Sequence, residues 1–207
     1  MFDHDGVLVD SLTVFTAAFT AACRRHGHPD IATAEQVVAL FHGNVYDCMR
    51  ARGMTPEAIA AIVSDTAAAL TVAHGLRPFP GVTELLRGLA RRFDVIVVTS
   101  NESVVVRDFL VRAGLAGEVG EILGVDVDAS KVNKIARVMS RYPGQERCFY
   151  VGDTSGDMIE GAAAGATPLG AGWGWHDPAV LAAAGAAYVA ATPADLLAYV
   201  LDDSPVS

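Results

Sequence analysis

Two aspartates separated by one residue, close to the start of the chain, have the types and spacing of a reaction centre. Asp3 and Asp5 follow the apolar pair Met1-Phe2 and precede Gly6. Residues i and i+2 of an extended chain point to the same face, so the two carboxylates crowd together. Such like charges repel, and a chain tolerates them where a cation or a reacting group separates them. Gly6 then lets the backbone turn sharply and approach a ligand closely. The alternative interpretation is a strand end followed by an acidic turn.

Further polar residues occur near the ends of apolar runs. They are Thr99-Ser100-Asn101, the pair Asp153 and Asp157, and the pair Lys131 and Lys134. Those lysines are the only two in the chain, whereas arginine occurs thirteen times. In an open α/β sheet, ligands bind at the carboxyl ends of the strands. We therefore expect these residues to converge with the two N-terminal aspartates at one edge of the sheet.

The combined set fits a magnesium-dependent attack on a phosphate monoester. Mg²⁺ prefers an octahedral shell of oxygen ligands and keeps several waters. Asp3 and Asp153 are the expected direct ligands, and the backbone carbonyl of Asp5 and waters would complete the shell. Asp157 is expected to contact a metal-bound water; alternatively, it is an acid at a helix N-terminus, which the helix dipole favours.

The same two N-terminal acids are expected to carry the reaction. A carboxylate can act as a nucleophile toward a phosphoryl group, and Asp3 would form an aspartyl-phosphate. Asp5 would protonate the leaving oxygen and then take a proton from the attacking water.

Other residues are expected to hold the phosphate. One of the two lysines, Lys131 or Lys134, would neutralise both the nucleophile and the phosphate as a compact positive charge. Thr99 would donate a hydroxyl hydrogen bond to a phosphoryl oxygen, aided by the backbone N–H groups of Ser100 and Asn101.

Strands alternating with helices predict a doubly wound parallel sheet, an α/β fold, for most of the chain. One expected strand is N-terminal and ends at Asp3. The other expected strands are residues 94–98, 121–127, 148–151, 167–171 (as an edge strand) and 188–190. By contrast, residues 12–76 contain only helical patterns, at 12–25, 33–41, 45–52 and from 56 to 74. We therefore expect a core domain of residues 1–11 and 77–207 and an inserted helical cap domain of residues 12–76.

Four motifs in order resemble those of the haloacid dehalogenase (HAD) superfamily, and especially its phosphoglycolate-phosphatase-like branch with a helical cap. They are Asp3-His4-Asp5-Gly6-Val7-Leu8-Val9-Asp10-Ser11, Val97-Val98-Thr99-Ser100-Asn101, Lys131, and Gly152-Asp153-Thr154-Ser155-Gly156-Asp157. The resemblance implies a phosphatase with a Mg²⁺ cofactor and favours Lys131 over Lys134. A sugar-phosphate mutase of the β-phosphoglucomutase type shares all four motifs, but the cap contains no lysine. A non-catalytic phospho-acceptor module is the alternative from another class, and the helical insert disfavours it.

Composition limits the partners. A net charge of −9 argues against a nucleic-acid surface. No apolar run reaches the roughly 18 residues that span a bilayer, and we expect no membrane partner. The expected substrate is a small phosphorylated metabolite. The lack of a signal peptide before Asp3 suggests a cytoplasmic protein.

Two features are harder to interpret. Only Met1 and Phe2 precede Asp3, so a central strand there would be short, and we expect the natural chain to begin upstream of Met1. Substrate selection belongs to the cap, where the polar candidates near predicted breaks are His42, Asn44, Arg50 and Arg77. Trp173, Trp175 and His176 follow a predicted strand and are expected to pack rather than to cover the site.

Overall fold

One parallel sheet runs through the protein. The computed structural model describes residues 1–71, 75–144 and 147–202. Five strands are assigned in these ranges: β1 (Ile96–Val98), β2 (Glu121–Leu123), β3 (Phe149–Gly152), β4 (Thr167–Ala171) and β5 (Tyr188–Ala190). β1 pairs with β2, β3 with β4, and β4 with β5, always in parallel. The predicted α/β fold with a parallel sheet is therefore confirmed.

The first three residues join the two halves of this sheet. Phe2 forms parallel bridges to Val97 of β1 and to Val151 of β3. Its N–H donates to the Ile96 carbonyl at 2.9 Å, and the Asp3 N–H donates to the Val151 carbonyl at 2.8 Å. The strand order is therefore β2, β1, Met1–Asp3, β3, β4, β5. Because the central segment ends at Asp3, its carboxylate emerges in the middle of the carboxyl edge.

Helices connect the strands and cover the sheet. They are α5 (Val82–Leu89), α6 (Ser103–Arg112), α7 (Lys131–Met139), α8 (Ser155–Ala163), α9 (Pro178–Ala183) and α10 (Pro193–Leu201). A large cluster of buried aliphatic and aromatic side chains, including Phe2, Val97 and Val151, lies between the sheet and these helices. A smaller cluster around Tyr150 and Ile135 packs α7 against the sheet. β1 and β3 are fully buried, which explains why their residues are apolar.

Residues 12–71, between the central segment Met1–Asp3 and β1, contain helices and connecting turns but no assigned strand. They include α1 (Leu12–Arg25), α2 (Ala34–Val38), a 3₁₀ turn at Ala39–Phe41, α3 (Val45–Ala51) and α4 (Pro56–Thr71). Their buried side chains, such as Phe19, Met49 and Ile62, form a hydrophobic cluster of their own. This separate cluster supports the proposed cap of residues 12–76.

Some expected boundaries differ from the structure. β2 ends at Leu123 rather than 127, and the expected helix at 33–41 ends as a 3₁₀ turn. The end of the expected fourth helix, residues 72–74, lies outside the described residues. The placement of 167–171 at the edge of the sheet was wrong, because β4 lies between β3 and β5. No helix in the described ranges is both long and apolar enough to cross a membrane.

Candidate active site

The loop after the central strand orients the two N-terminal acids. Gly6 has a φ of 74°, a left-handed conformation that favours glycine. The His4 carbonyl accepts the N–H groups of Leu8 and Val9 at 2.9 and 3.2 Å, which closes the loop. Asp3 Oδ1 accepts the His4 N–H at 2.7 Å. The buried Asp3 carboxylate is thus fixed, whereas Asp5 is only half buried.

The two lysines contact different groups. Lys131 Nζ lies 2.6 Å from Asp3 Oδ2 and 2.6 Å from Asp157 Oδ1, in a buried ion-pair network. Lys134 Nζ instead donates to the carbonyls of Thr99 and Gly124, at 2.6 and 3.1 Å. The geometry therefore favours Lys131 as the lysine beside Asp3, the predicted nucleophile. Burial and the Lys131 charge lower the pKa of Lys134 to about 8.

Asp153 is the least compensated acid of the site. Its Oδ2 accepts the backbone N–H of Trp175 at 2.8 Å, but its Oδ1 is buried without a hydrogen-bond partner. Burial, reinforced by the charges of Asp157 and Asp3, raises the pKa of Asp153 well above its usual value. A Cβ at Gly6 would lie 1.9 Å from Asp153 Oδ2, so only glycine allows this close approach.

Three buried carboxylates form a set that fits a hard cation. Asp3, Asp153 and Asp157 each offer an oxygen, and these atoms lie within 4.8 Å of one another. Burial raises the pKa of Asp3 to about 6, even though the Lys131 charge opposes the shift. An orphaned carboxylate oxygen and crowded acids are what a Mg²⁺ ion would stabilise, since it prefers oxygen ligands.

Asp157 has structural contacts on both of its oxygens. Oδ1 accepts from Lys131 Nζ and from the Tyr150 hydroxyl, the latter at 3.0 Å. Oδ2 accepts the Thr154 N–H and hydroxyl at 3.1 and 2.7 Å, in a capping box that begins α8. Burial would raise the pKa of Asp157, but Lys131 and the hydrogen bonds outweigh it and hold the pKa below its usual value. Asp157 thus orients Lys131, and its contact with a metal-bound water stays a prediction.

The expected phosphate-binding segment is a turn after β1. The Thr99 hydroxyl accepts the Asn101 N–H at 3.1 Å, so that N–H is already used within the turn. The Asn101 side-chain amide donates to Asp5 Oδ2 at 2.9 Å and fixes the predicted acid. Ser100 and Asn101 line the same cavity as the two N-terminal acids.

Several contributors were not predicted as site residues. Tyr150 is fully buried in β3, and its hydroxyl contacts Asp157 Oδ1 and the Val98 carbonyl. Its position in an apolar strand gave no signal of this. Thr154 was findable, because Thr154 and Asp157 have the spacing of a capping box. His4 is turned away from the site, and its ring lies edge-on to Phe109 at 5.0 Å.

The cap closes over these residues. A cavity of about 70 Å³ lies between the acids and the apolar side chains of the helical segment. Trp175 packs against the helical segment, with ring centroids 5.0 Å from Phe15 and 5.1 Å from Phe41. Its indole Nε1 is buried without a partner. Trp175 therefore both packs and borders the cavity, which the sequence-based expectation treated as alternatives.

Comparison with known proteins identifies the family. Residues 1–171 match the family described as haloacid dehalogenase-like hydrolase. A phosphoglycolate phosphatase of Synechococcus elongatus is 28% identical over 200 residues, which cover 95% of this chain and 94% of that protein. A phosphoglycolate phosphatase of Vibrio vulnificus is 30% identical and covers 97% and 94%, respectively. A haloacid dehalogenase-like hydrolase from Streptococcus pneumoniae has a similar structure, with a TM-score of 0.78 at 23% identity and coverage of 96% and 95%. The resemblance predicted from the four motifs is confirmed: this chain belongs to the haloacid dehalogenase-like hydrolase family, as a hydrolase of the phosphatase type.

Proposed function

We propose that the protein is a Mg²⁺-dependent phosphatase that hydrolyses a small phosphate monoester through an aspartyl-phosphate at Asp3. The observation that carries this proposal is the buried network in which Lys131 Nζ lies 2.6 Å from both Asp3 and Asp157. A charge held there keeps a carboxylate ionised in a low-dielectric site and offsets its repulsion of a phosphate. With a pKa of about 6, Asp3 is an anion at neutral pH.

Phosphoryl transfer to the enzyme is the first half of the reaction. A carboxylate oxygen of Asp3 forms a bond to phosphorus while the bond between phosphorus and the leaving oxygen breaks. Asp5, oriented by the Asn101 amide, gives its carboxyl proton to that leaving oxygen. Thr99 and Ser100 border the cavity where the phosphoryl oxygens would lie.

Hydrolysis of the aspartyl-phosphate is the second half. Asp5, now a carboxylate, takes a proton from a water that attacks phosphorus. The bond between phosphorus and the Asp3 oxygen breaks, which releases inorganic phosphate and restores both acids. The closed cap limits access of bulk water to this step.

The acidic group of Asp3, Asp153 and Asp157 would hold the metal. Asp3 and Asp153 would be direct ligands together with the Asp5 carbonyl, and Asp157 would contact a metal-bound water. A bound Mg²⁺ supplies positive charge that stabilises the negative charge of the transferred group. The partnerless Asp153 Oδ1 is the observation that supports this assignment.

Phosphate release from p-nitrophenyl phosphate, with Mg²⁺ or with EDTA, tests the proposal. We expect steady turnover that EDTA abolishes and that added Mg²⁺ restores. Asp3→Asn should lower the rate by at least about a thousandfold. Asp108→Asn, an exposed position on α6, is the control and should keep wild-type turnover.

Other outcomes would decide against the proposal. A single stoichiometric labelling of the protein by the phosphate donor, without turnover, would favour a phospho-acceptor module. Activity that is unchanged in Asp3→Asn would contradict the nucleophile assignment. A cytoplasmic location is part of the proposal, and cell fractionation tests it.

A further inference from the structure

We infer that the leaving group of the substrate is small, uncharged and largely apolar, so that a branched alkyl phosphate is a better substrate than an isosteric ester that carries a carboxylate. This inference rests on the proposed phosphatase function and specifies the substrate class of the same site. It separates this chain from the relatives that are named for phosphoglycolate.

The wall of the cavity opposite the acids is apolar. It is formed by side chains of α1, α3, α4 and the 3₁₀ turn, among them Phe15, Phe41, Val45, Met49, Val63 and Leu70. In an in-line displacement, the ester oxygen leaves on the side of phosphorus opposite to the attacking Asp3 oxygen. The organic part of the substrate would therefore contact this wall, and removing apolar surface from water favours an apolar group there.

The charges around the cavity are unsuited to a second anion. Among the described lining residues, the acids are Asp3, Asp5, Glu102 and Asp153, and the only cation is Lys131. Lys131 is already paired with Asp3 and Asp157, at 2.6 Å each. A carboxylate on the leaving group would thus be buried without a counter-charge, which is strongly unfavourable.

The four polar residues that the sequence suggested for substrate selection are directed elsewhere. Asn44 donates to Glu160 at 2.8 Å, and His42 contacts Ser155 at 3.1 Å. Arg50 is exposed and paired with Asp47, and Arg77 lines a separate surface groove. None of these four residues lines the cavity. The sequence-based expectation that one of them selects the substrate therefore has no support.

A few neutral groups add polarity to the wall. Tyr46 and Thr66 line the cavity, and the Thr66 hydroxyl donates to the Ile62 carbonyl at 2.7 Å. The buried Trp175 Nε1–H has no acceptor. These groups suit an uncharged leaving group, with at most a neutral oxygen as an acceptor, and the cavity of about 70 Å³ limits its size.

Two isosteric esters test the inference directly. Isobutyl phosphate and phosphoglycolate both release a primary alcohol and have the same branched arrangement of heavy atoms, with two methyl groups in place of two carboxylate oxygens. We expect kcat/KM for isobutyl phosphate to exceed that for phosphoglycolate by at least about tenfold. Each ester is also measured as a competitor of p-nitrophenyl phosphate, which reports relative binding without turnover of the ester.

A charge added to the wall should change this preference. Val63 is half buried at the cavity, and Val63→Lys should shift the ratio toward phosphoglycolate by at least about tenfold. Val111→Lys adds the same charge at an exposed position of α6 and should leave the ratio unchanged. Thermal denaturation of both variants checks that they fold.

The outcomes separate this inference from the phosphatase proposal. If p-nitrophenyl phosphate is hydrolysed but phosphoglycolate is an equal or better substrate or competitor, the inference is wrong and the phosphatase function stands. An unshifted ratio in folded Val63→Lys would also contradict it. If no ester is hydrolysed with Mg²⁺, the phosphatase proposal fails, and the inference that rests on it fails too.

Discussion

Lys131 and Lys134 lie one turn apart on the same face of α7, yet they stabilise different groups. Lys131 contacts the carboxylate of Asp3, at the end of the central strand, and that of Asp157, in the first turn of α8. Lys134 contacts two backbone carbonyls that follow β1 and β2. The first lysine therefore stabilises the charge of Asp3, the proposed nucleophile, and the second fixes the turn that begins at Thr99. Both are buried, so each replacement also affects folding.

Replacing each lysine by methionine should separate these two roles. Lys131→Met should lower phosphate release per folded molecule by at least about a hundredfold, because the nucleophile loses its only buried cation among the described residues. Lys134→Met leaves the Thr99 carbonyl without its lysine donor, whereas the Gly124 carbonyl keeps the Val127 N–H at 3.2 Å. The lost contact should lower the free energy of unfolding by about 1–3 kcal/mol. Phosphate release and urea unfolding, measured on both variants, test this. A larger loss of turnover in Lys134→Met than in Lys131→Met would reverse the assignment.

At the scale of elements, the sequence predicted which segments are strands and helices better than how they are arranged. Local apolar patterns predicted α1, β1 and β3 within two residues. The position of β4 inside the sheet was missed, because strand order depends on pairing between segments that are distant in the chain. α8 begins at Ser155, directly after Thr154, whose capping box with Asp157 stabilises the start of the helix.

The N-cap threonines of α8 and α10 make the same two side-chain contacts, so their replacements can be compared. The Thr154 hydroxyl accepts the Asp157 N–H at 3.2 Å and donates to Asp157 Oδ2 at 2.7 Å. Thr192 makes the same two contacts with Asp195 at the start of α10, also at 3.2 and 2.7 Å. Each Thr→Ala change should cost about 0.5–2 kcal/mol of unfolding free energy.

Only Thr154→Ala should also reduce phosphate release, because Asp157 would lose a contact that orients it toward Lys131. Thr192→Ala is the control, since Thr192 is an exposed N-cap residue of α10 and does not line the cavity. Equal turnover in the two variants would mean that the cap of α8 stabilises the fold without positioning Lys131. Chemical denaturation and steady-state kinetics give the two readouts.

At the scale of the whole molecule, the cap meets the core at the start of α8. A Cβ at Gly156 would lie 2.5 Å from the Gly43 carbonyl oxygen and 3.0 Å from that of Phe41. The Asn44 amide donates to Glu160 Oε1 at 2.8 Å beside this contact. The sequence predicted the convergence of Asp3 and Asp153 because parallel strands end at one edge. No comparable rule predicts the contact of Gly43 with Gly156, because these residues are more than a hundred positions apart and share no periodic pattern.

The contact between Gly156 and Gly43 leads to a prediction about cap closure. Gly156→Ala should push the cap away from the core, because the neighbouring atoms are backbone and cannot move aside. Alanine within a helix should otherwise stabilise α8 by about 1 kcal/mol, so loss of function would not reflect helix propensity. We expect kcat/KM to fall by about ten- to a hundredfold, because a small displacement of the reacting groups from each other slows the reaction. Gly43→Ala changes the other side of the same contact, where a Cβ meets nothing within 4 Å, and should behave like the wild type.

Tryptophan fluorescence can follow this opening directly, because Trp175 packs between Phe15 and Phe41 of the cap. The chain has two tryptophans, so the measurement uses a Trp173→Phe background. In Gly156→Ala, the Trp175 emission should shift to longer wavelength and acrylamide should quench it more strongly, since the indole would be exposed to water. The Gly43→Ala spectrum should match its parent. An unchanged spectrum in Gly156→Ala together with a large loss of kcat/KM would show that α8 affects the reaction through the acids at its start. Close packing of the cap against Gly156 would then not be required.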